Sequence, residues 1–283
     1  MSQENTIKSK RPKLKAKKRS RIEASLCQLL EPAKGKIAKP SQNRLSMKTD
    51  QSLINFADHI TTVVEIDELR TVSEALFDSG LSQGWPLSEQ PGFATAGIRF
   101  GNLNLELCAV DRNANKLNSW LTFEPKNLET LSDQLTERNI KHDPFDAVVI
   151  HGNPIYTRIG LPELEQDSAA LQLCHLYYPT RLTGPIAPQN KAGIRQVKEI
   201  RIGMNDNLQN VLNKLIATED SGDIVRFKEG PALSISTAHG LKIYGISIET
   251  DNPFQAAEIL TKTGMTRIED QVLRIGSLEI ALE

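Results

Sequence analysis

Asp58-His59-Ile60-Thr61-Thr62-Val63-Val64-Glu65-Ile66-Asp67 opens the stretch whose reading decides the fold, and Phe100-Gly101-Asn102-Leu103-Asn104-Leu105-Glu106-Leu107 closes it. The β-branched run Thr61 to Val64 predicts a strand. Asp67 stands where a helix N-cap is expected, with Arg70 about one turn later. Leu69, Val72, Leu76 and Phe77 then form one apolar stripe, and Gly80 supplies a stop. A turn-rich link carrying Pro86, Pro91 and Gly92 leads to two strands, Ala94 to Phe100 and Asn102 to Val110, with Gly101-Asn102 as the hairpin turn. The order is strand, helix, strands.

The same order recurs along the chain. Trp120 to Glu124 reads as a strand, 127–140 as a helix striped by Leu128, Leu131, Leu135 and Ile140, and 147–161 and 170–178 as strands. A third copy starts at Val197 to Ile202, with Leu208, Val211, Leu212, Leu215 and Ile216 on its helix. The fourth starts at Leu241 to Ile248, and its helix over 252–263 stops at Gly264. Val272 to Ile275 and Leu278 to Leu282 finish it as a hairpin around Gly276-Ser277. Four such units with mostly antiparallel strands argue an α+β class, helices covering one face of curled sheets. Two units per domain give domains over 51–180 and 197–283, joined by a linker over 181–196 that is rich in Pro and Gly.

Composition bounds the function. The chain has 283 residues, 39% hydrophobic, enough for one large core or two ordinary ones. It shows no apolar run near the ~20 residues of a membrane helix and no signal-peptide pattern, so a soluble, cytoplasmic protein is expected. Cys27, Cys108 and Cys174 make neither a disulfide framework nor a Cys-x-x-Cys metal site. The net charge of -1 hides an asymmetry: residues 1–50 hold fourteen Lys or Arg against four Asp or Glu, and the remainder 20 against 31. This basic tail cannot bury enough apolar surface to offset its ordering entropy and reads as a disordered, solvated extension. Its lysines also suit weak, sequence-independent nucleic-acid contact, although no aromatic residue is interleaved to stack on bases.

Asp58-His59-Ile60, Asp67-x-Leu69, Gly97-Ile98-Arg99-Phe100-Gly101 and Leu103-x-Leu105-Glu106-Leu107 together resemble the first module of glyoxalase-like proteins. Those proteins belong to the vicinal oxygen chelate (glyoxalase, bleomycin resistance, extradiol dioxygenase) superfamily. Cys174-His175-Leu176-Tyr177-Tyr178-Pro179 is similar to a further segment of that family, and the likeness runs from about residue 56 to the end of the chain. It implies tandem βαβββ modules paired into curled-sheet cups, with metal ligands on the first and last strands of a module. Carried over by position, the ligands are His59, Glu106 and His175, with Asn118 where the second module would place a histidine and Lys198 and Ile243 in the third and fourth. Tyr177 and Arg181 would face substrate at the rim. The resemblance further implies a divalent ion (Fe, Mn, Zn or Ni), a small chelating substrate, and a lyase, isomerase or dioxygenase reaction. Some members of the superfamily only sequester a ligand, and modules can pair between chains, which would make the active unit a homodimer.

The residue chemistry stands beside this. Two imidazoles and a carboxylate hold a divalent ion while leaving positions open for water and substrate. The same three side chains also suit ordinary half-buried positions at strand ends. His142, His151 and His239 lie in polar, loop-like stretches and read as surface residues, while Cys108 shares a strand face with Glu106. Gly-x-Ser-x-Gly elbows, phosphate-binding loops and dinucleotide fingerprints are missing, which removes the hydrolase, kinase and dehydrogenase readings.

Overall fold

The first strand, β1 (Ile54–Val63), is buried along nearly its whole length, and it forms the middle of a sheet. The computed structural model describes residues 52–111, 116–150, 153–166, 168–177, 190–216 and 223–283. The basic tail, Cys27, His151 and Arg181 lie outside them. Helix α1 (Ile66–Asp78) follows β1 and presses Leu69, Val72 and Leu76 onto the core. Its N-cap is Glu65, without a side-chain cap, and Asp67 lies inside the first turn. There the carboxylate favours the helix dipole and meets Arg70 at 3.1 Å. Gly80, at φ 92°, ends the helix as expected.

Three strands complete the module: β2 (Gln83–Gln90), β3 (Phe93–Phe100) and β4 (Leu103–Val110). The sequence reads β2 as a turn-rich link because of Pro86. It is the outermost strand, and Pro86 falls within a register shift against β3, where its missing N–H breaks no ladder. The second module repeats the plan as β5 (Ser119–Pro125), α2 (Leu128–Glu137), β6 (Asp146–Ile150), β7 (Asn153–Gln166) and β8 (Ala169–Leu176). Its first strand pairs antiparallel with β1, so the eight-stranded sheet A runs β2-β3-β4-β1-β5-β8-β7-β6.

Modules three and four build the seven-stranded sheet B. The third comprises β9 (Ile194–Met204), α3 (Asp206–Ile216), β10 (Ile224–Val225) and β11 (Ala232–Thr237). The fourth comprises β12 (Lys242–Thr250), α4 (Pro253–Lys262), β13 (Thr266–Glu269), β14 (Val272–Ile275) and β15 (Leu278–Leu282). The fold is thus α+β, with tandem modules paired into two curled sheets. Apolar residues of both sheets form one continuous core. The sheets meet closely. Gly101, at φ +74°, leaves no room for a side chain, because a Cβ there would lie 2.6 Å from Gln196 Cα. Beside it Asn102 Oδ1 accepts the Val197 N–H at 2.9 Å.

The two sheets share one register. Across the seam of A, His59 pairs Thr122, Ile60 pairs Leu121 and Thr61 pairs Trp120. Across the seam of B, Glu199 pairs Ser247, Ile200 pairs Ile246 and Arg201 pairs Gly245. Both first strands skip one residue just before these triplets, Asp58 in A and Lys198 in B. The last strands agree as well: Thr61 lies beside Glu106 as Arg201 lies beside Ser234, and Thr122 beside Gln172 as Ser247 beside Ala281. This register shifts three positions assigned from sequence. Trp120, not Asn118, occupies the second-module counterpart of His59, Glu199, not Lys198, occupies the third, and Gly245, not Ile243, the fourth.

Candidate functional site in sheet A

The bulge at Asp58 explains how two consecutive polar residues are buried together. A bulge turns both side chains toward one face of a strand, and Asp58 and His59 are 6% and 8% exposed. Asp58 Oδ2 lies 2.7 Å from His59 Nδ1. In that contact Nδ1–H donates to the carboxylate and Nε2 is turned toward Glu106, the arrangement that supports a metal-ligating histidine once Nε2 is deprotonated. His59 Nε2 is 3.7 Å from Glu106 Oε2.

Glu106, equally buried, is held at both oxygens. Thr61 donates to Oε2 at 2.6 Å, and Thr95 donates to Oε1 at 2.5 Å. Trp85 Nε1–H in turn donates to Thr95 Oγ1 at 3.2 Å, and its ring stands edge-on to His59 at 5.5 Å. Gly97 makes room for this indole, since any Cβ there would strike the ring. Of this cluster the sequence singles out His59 and Glu106, and the structure adds Asp58, Thr61, Thr95 and Trp85 around them. Thr61 and Asp58 were legible in principle, because the first shares the alternation of β1 with His59 and the second adjoins it. Trp85 and Thr95 become neighbours only through the pairing of β2 and β3.

His175 sits farther along β8. Its Nδ1 lies 2.7 Å from Glu124 Oε1, and its ring packs edge-on against Tyr177 at 5.0 Å. The Tyr177 hydroxyl is 3.0 Å from Thr157 Oγ1, and the residue is 45% exposed. The register position matching Glu106 is taken by Gln172, whose Nε2 donates to Thr122 Oγ1 at 2.9 Å. His175 therefore belongs to a Glu124 pair. Among the described residues no three His, Cys, Asp or Glu side chains form a metal-binding group.

Charge gives the site its character. Burial works against a protonated His59, yet the Asp58 hydrogen bond and the charges of Asp58, Glu106 and Glu124 outweigh it and raise the imidazole pKa. Burial raises the Glu124 carboxyl, a shift that the His175 hydrogen bond only partly offsets. Cys174 is driven strongly up, first by burial and then by Asp58, Glu124 and Glu106, so its thiol stays protonated and is no nucleophile. Carboxylates thus outnumber cations in a buried place, which is costly unless a cation joins them. A divalent ion here would be held by His59 Nε2 and Glu106, which Asp58 and the two threonines orient from behind.

Comparison with known proteins places the fold. A hypothetical protein from Staphylococcus aureus superposes with a TM-score of 0.51 at 10% identity, covering 80% of this chain and 98% of that one. A mutant of 4-hydroxymandelate synthase from Streptomyces coelicolor superposes with a TM-score of 0.51 at 11% identity, covering 83% of this chain and 92% of that one. The chain has the vicinal oxygen chelate fold. No protein-family model matches the sequence, and neither does any curated protein. Among the described residues no helix is long and apolar enough to cross a membrane.

Proposed function

We propose that the cup of sheet A binds a divalent metal ion through His59 and Glu106 and acts on a small, oxygen-rich molecule that chelates it, as a lyase, isomerase or dioxygenase. The buried Asp58–His59–Glu106 arrangement carries this reading. When bound, the ion would polarise a substrate oxygen and make an adjacent proton more acidic. Asp58 fixes the His59 ring by accepting a hydrogen bond from Nδ1–H, and Thr61 and Thr95 hold the Glu106 carboxylate in orientation. Glu124, with its raised pKa and its bond to His175 Nδ1, is the group suited to accept a substrate proton at Oε and return it. Tyr177, at the exposed end of β8, would contact substrate, and Arg181 is assigned the same role by position alone.

A second reading, sequestration of a ligand without turnover, is favoured by one observation. The second module contributes the neutral pair Thr122 and Gln172 where the first contributes Thr61 and Glu106. Elemental analysis of the purified protein, beside His59→Ala and Glu106→Ala, separates the two. Near-stoichiometric metal lost in both variants supports the enzyme reading. A wild type that stays metal-free after incubation with divalent ions overturns it and leaves sequestration.

A further inference from the structure

Sheet B carries a half-buried arginine with two buried donors at the place where sheet A carries Thr61. Arg201 lies on β9 between the core residues Ile200 and Ile202, so strand alternation turns its side chain away from the core. Its Nε and Nη2 atoms are both buried, and among the described residues neither has a hydrogen-bond partner. Nε and Nη2 form one edge of the guanidinium plane, the edge that grips a carboxylate or phosphate with two parallel hydrogen bonds. Leaving two charged donors unpaired out of water is among the more expensive arrangements in a folded protein.

Several carboxylates of sheet B are held by other partners. Glu283 is bound to Lys198 Nζ at 2.9 Å, and that hydrogen bond leads the causes that depress its pKa, Ser247 and Arg201 contributing less. Glu279 pairs Arg274 at 3.1 Å, Glu249 accepts from Gln196 at 2.7 Å, and Asp251 is bound by Arg195. Glu199, two residues before Arg201 on β9, shares its face of the strand and pairs Ser247 across the seam. The residues beside Arg201 are small. Ser234 adjoins it on β11, and on β12 stands Gly245, where any side chain would run into the Glu279 carbonyl.

We infer that the Nε–Nη2 edge of Arg201 is an oxyanion site, built to take the carboxylate or phosphate group of a small molecule on sheet B. It is separate from the cup of sheet A and requires no metal. The test is titration of the full chain, in chelator and at constant ionic strength, with inorganic phosphate or acetate, following the arginine Nε–H resonances by NMR. A saturable shift of one resonance, absent from Arg201→Met, is expected, and whichever anion binds more tightly identifies the group. Arg201→Lys keeps the charge but loses the fork, and binding about tenfold weaker is expected, the worth of one charge-assisted hydrogen bond. If Arg201→Met does not fold, Ser234→Leu, which covers the edge while keeping the charge, must abolish the thermal stabilisation that phosphate gives the wild type. No saturable response in the wild type, as when Glu199 closes onto Arg201 in solution, overturns the inference. An equal response in Arg201→Met or in Ser234→Leu does so as well.

Discussion

Sheets A and B are two castings of one backbone with opposite charge at the centre. In A the bulge and the residues after it read Asp58, His59, Ile60, Thr61; in B they read Lys198, Glu199, Ile200, Arg201. Where Glu106 stands beside Thr61, Ser234 stands beside Arg201. The isoleucine is shared because it packs under the helices and answers to the core. Its neighbours face away from the core and are free to differ. Backbone register thus fixes where functional side chains can stand, and only the side chains decide whether the place suits a cation or an anion.

The sharpest way to break this comparison is to remove the matched residues in turn. Glu106→Ala is expected to strip the protein of metal, whereas Ser234→Ala, its counterpart in B, leaves metal content at the wild-type level. Metal retained by Glu106→Ala would mean that another carboxylate, Glu124 for instance, is the ligand. Asp58→Asn comes next in size. It spares both proposed ligands but weakens the hold on the His59 ring, and metal affinity should fall about 10- to 100-fold, the usual cost of losing such a support. Its counterpart Lys198→Asn should change metal affinity not at all. Competition with a fluorescent chelator measures both.

A pH scan addresses His59 itself. In metal-free protein its pKa lies above the ordinary 6.5, so the folded state holds the proton more tightly than the unfolded chain does. The resulting stability is fully present below about pH 6.5 and is lost as pH rises through the folded-state pKa. Urea midpoints in chelator should therefore drop on the alkaline side for the wild type relative to His59→Gln. With a divalent ion present the trend reverses, because the ligand must be the neutral imidazole and metal stabilisation grows over the same interval. Parallel curves for the two proteins in chelator would show that His59 is not raised by its carboxylates.

These contrasts also show what a sequence can reveal. Helix stripes such as Leu69, Val72 and Leu76, and the stops at Gly80 and Gly264, were legible because they follow local periodicity and local backbone geometry. Edge strand β2 was not, since Pro86 reads as a breaker wherever its place in the sheet is unknown. His59 and Glu106 were found by position in a repeat, and they do come within 3.7 Å. His175 was assigned by sliding one strand over another, and in the structure its Nδ1 meets Glu124, which no pattern singled out. Arg201 was invisible for the opposite reason: an arginine in a strand looks like a surface residue until its donors are found buried.

The smallest effects belong where the sheets agree. Asn127 caps α2 by accepting the Glu129 N–H on Oδ1 at 2.9 Å, and Asn252 caps α4 by accepting the Gln255 N–H at 3.2 Å. Both asparagines are extended, at φ -148° and -149°, and each opens the helix of the second module in its pair. Neither touches the centre of its sheet, so the exchange of charge there should not reach them. Asn127→Ala and Asn252→Ala should each cost about 1 kcal/mol, the ordinary worth of a capping oxygen. For a folded body of this size that corresponds to a drop of about 2–4 °C in Tm. Metal uptake and anion binding should stay at wild-type levels in both variants. Because the caps share no partner, the double variant should lose the sum of the two. A double loss well short of that sum would mean that sheet B unfolds ahead of sheet A, and that the common core joins the sheets less tightly than the fit of Gly101 against Gln196 implies.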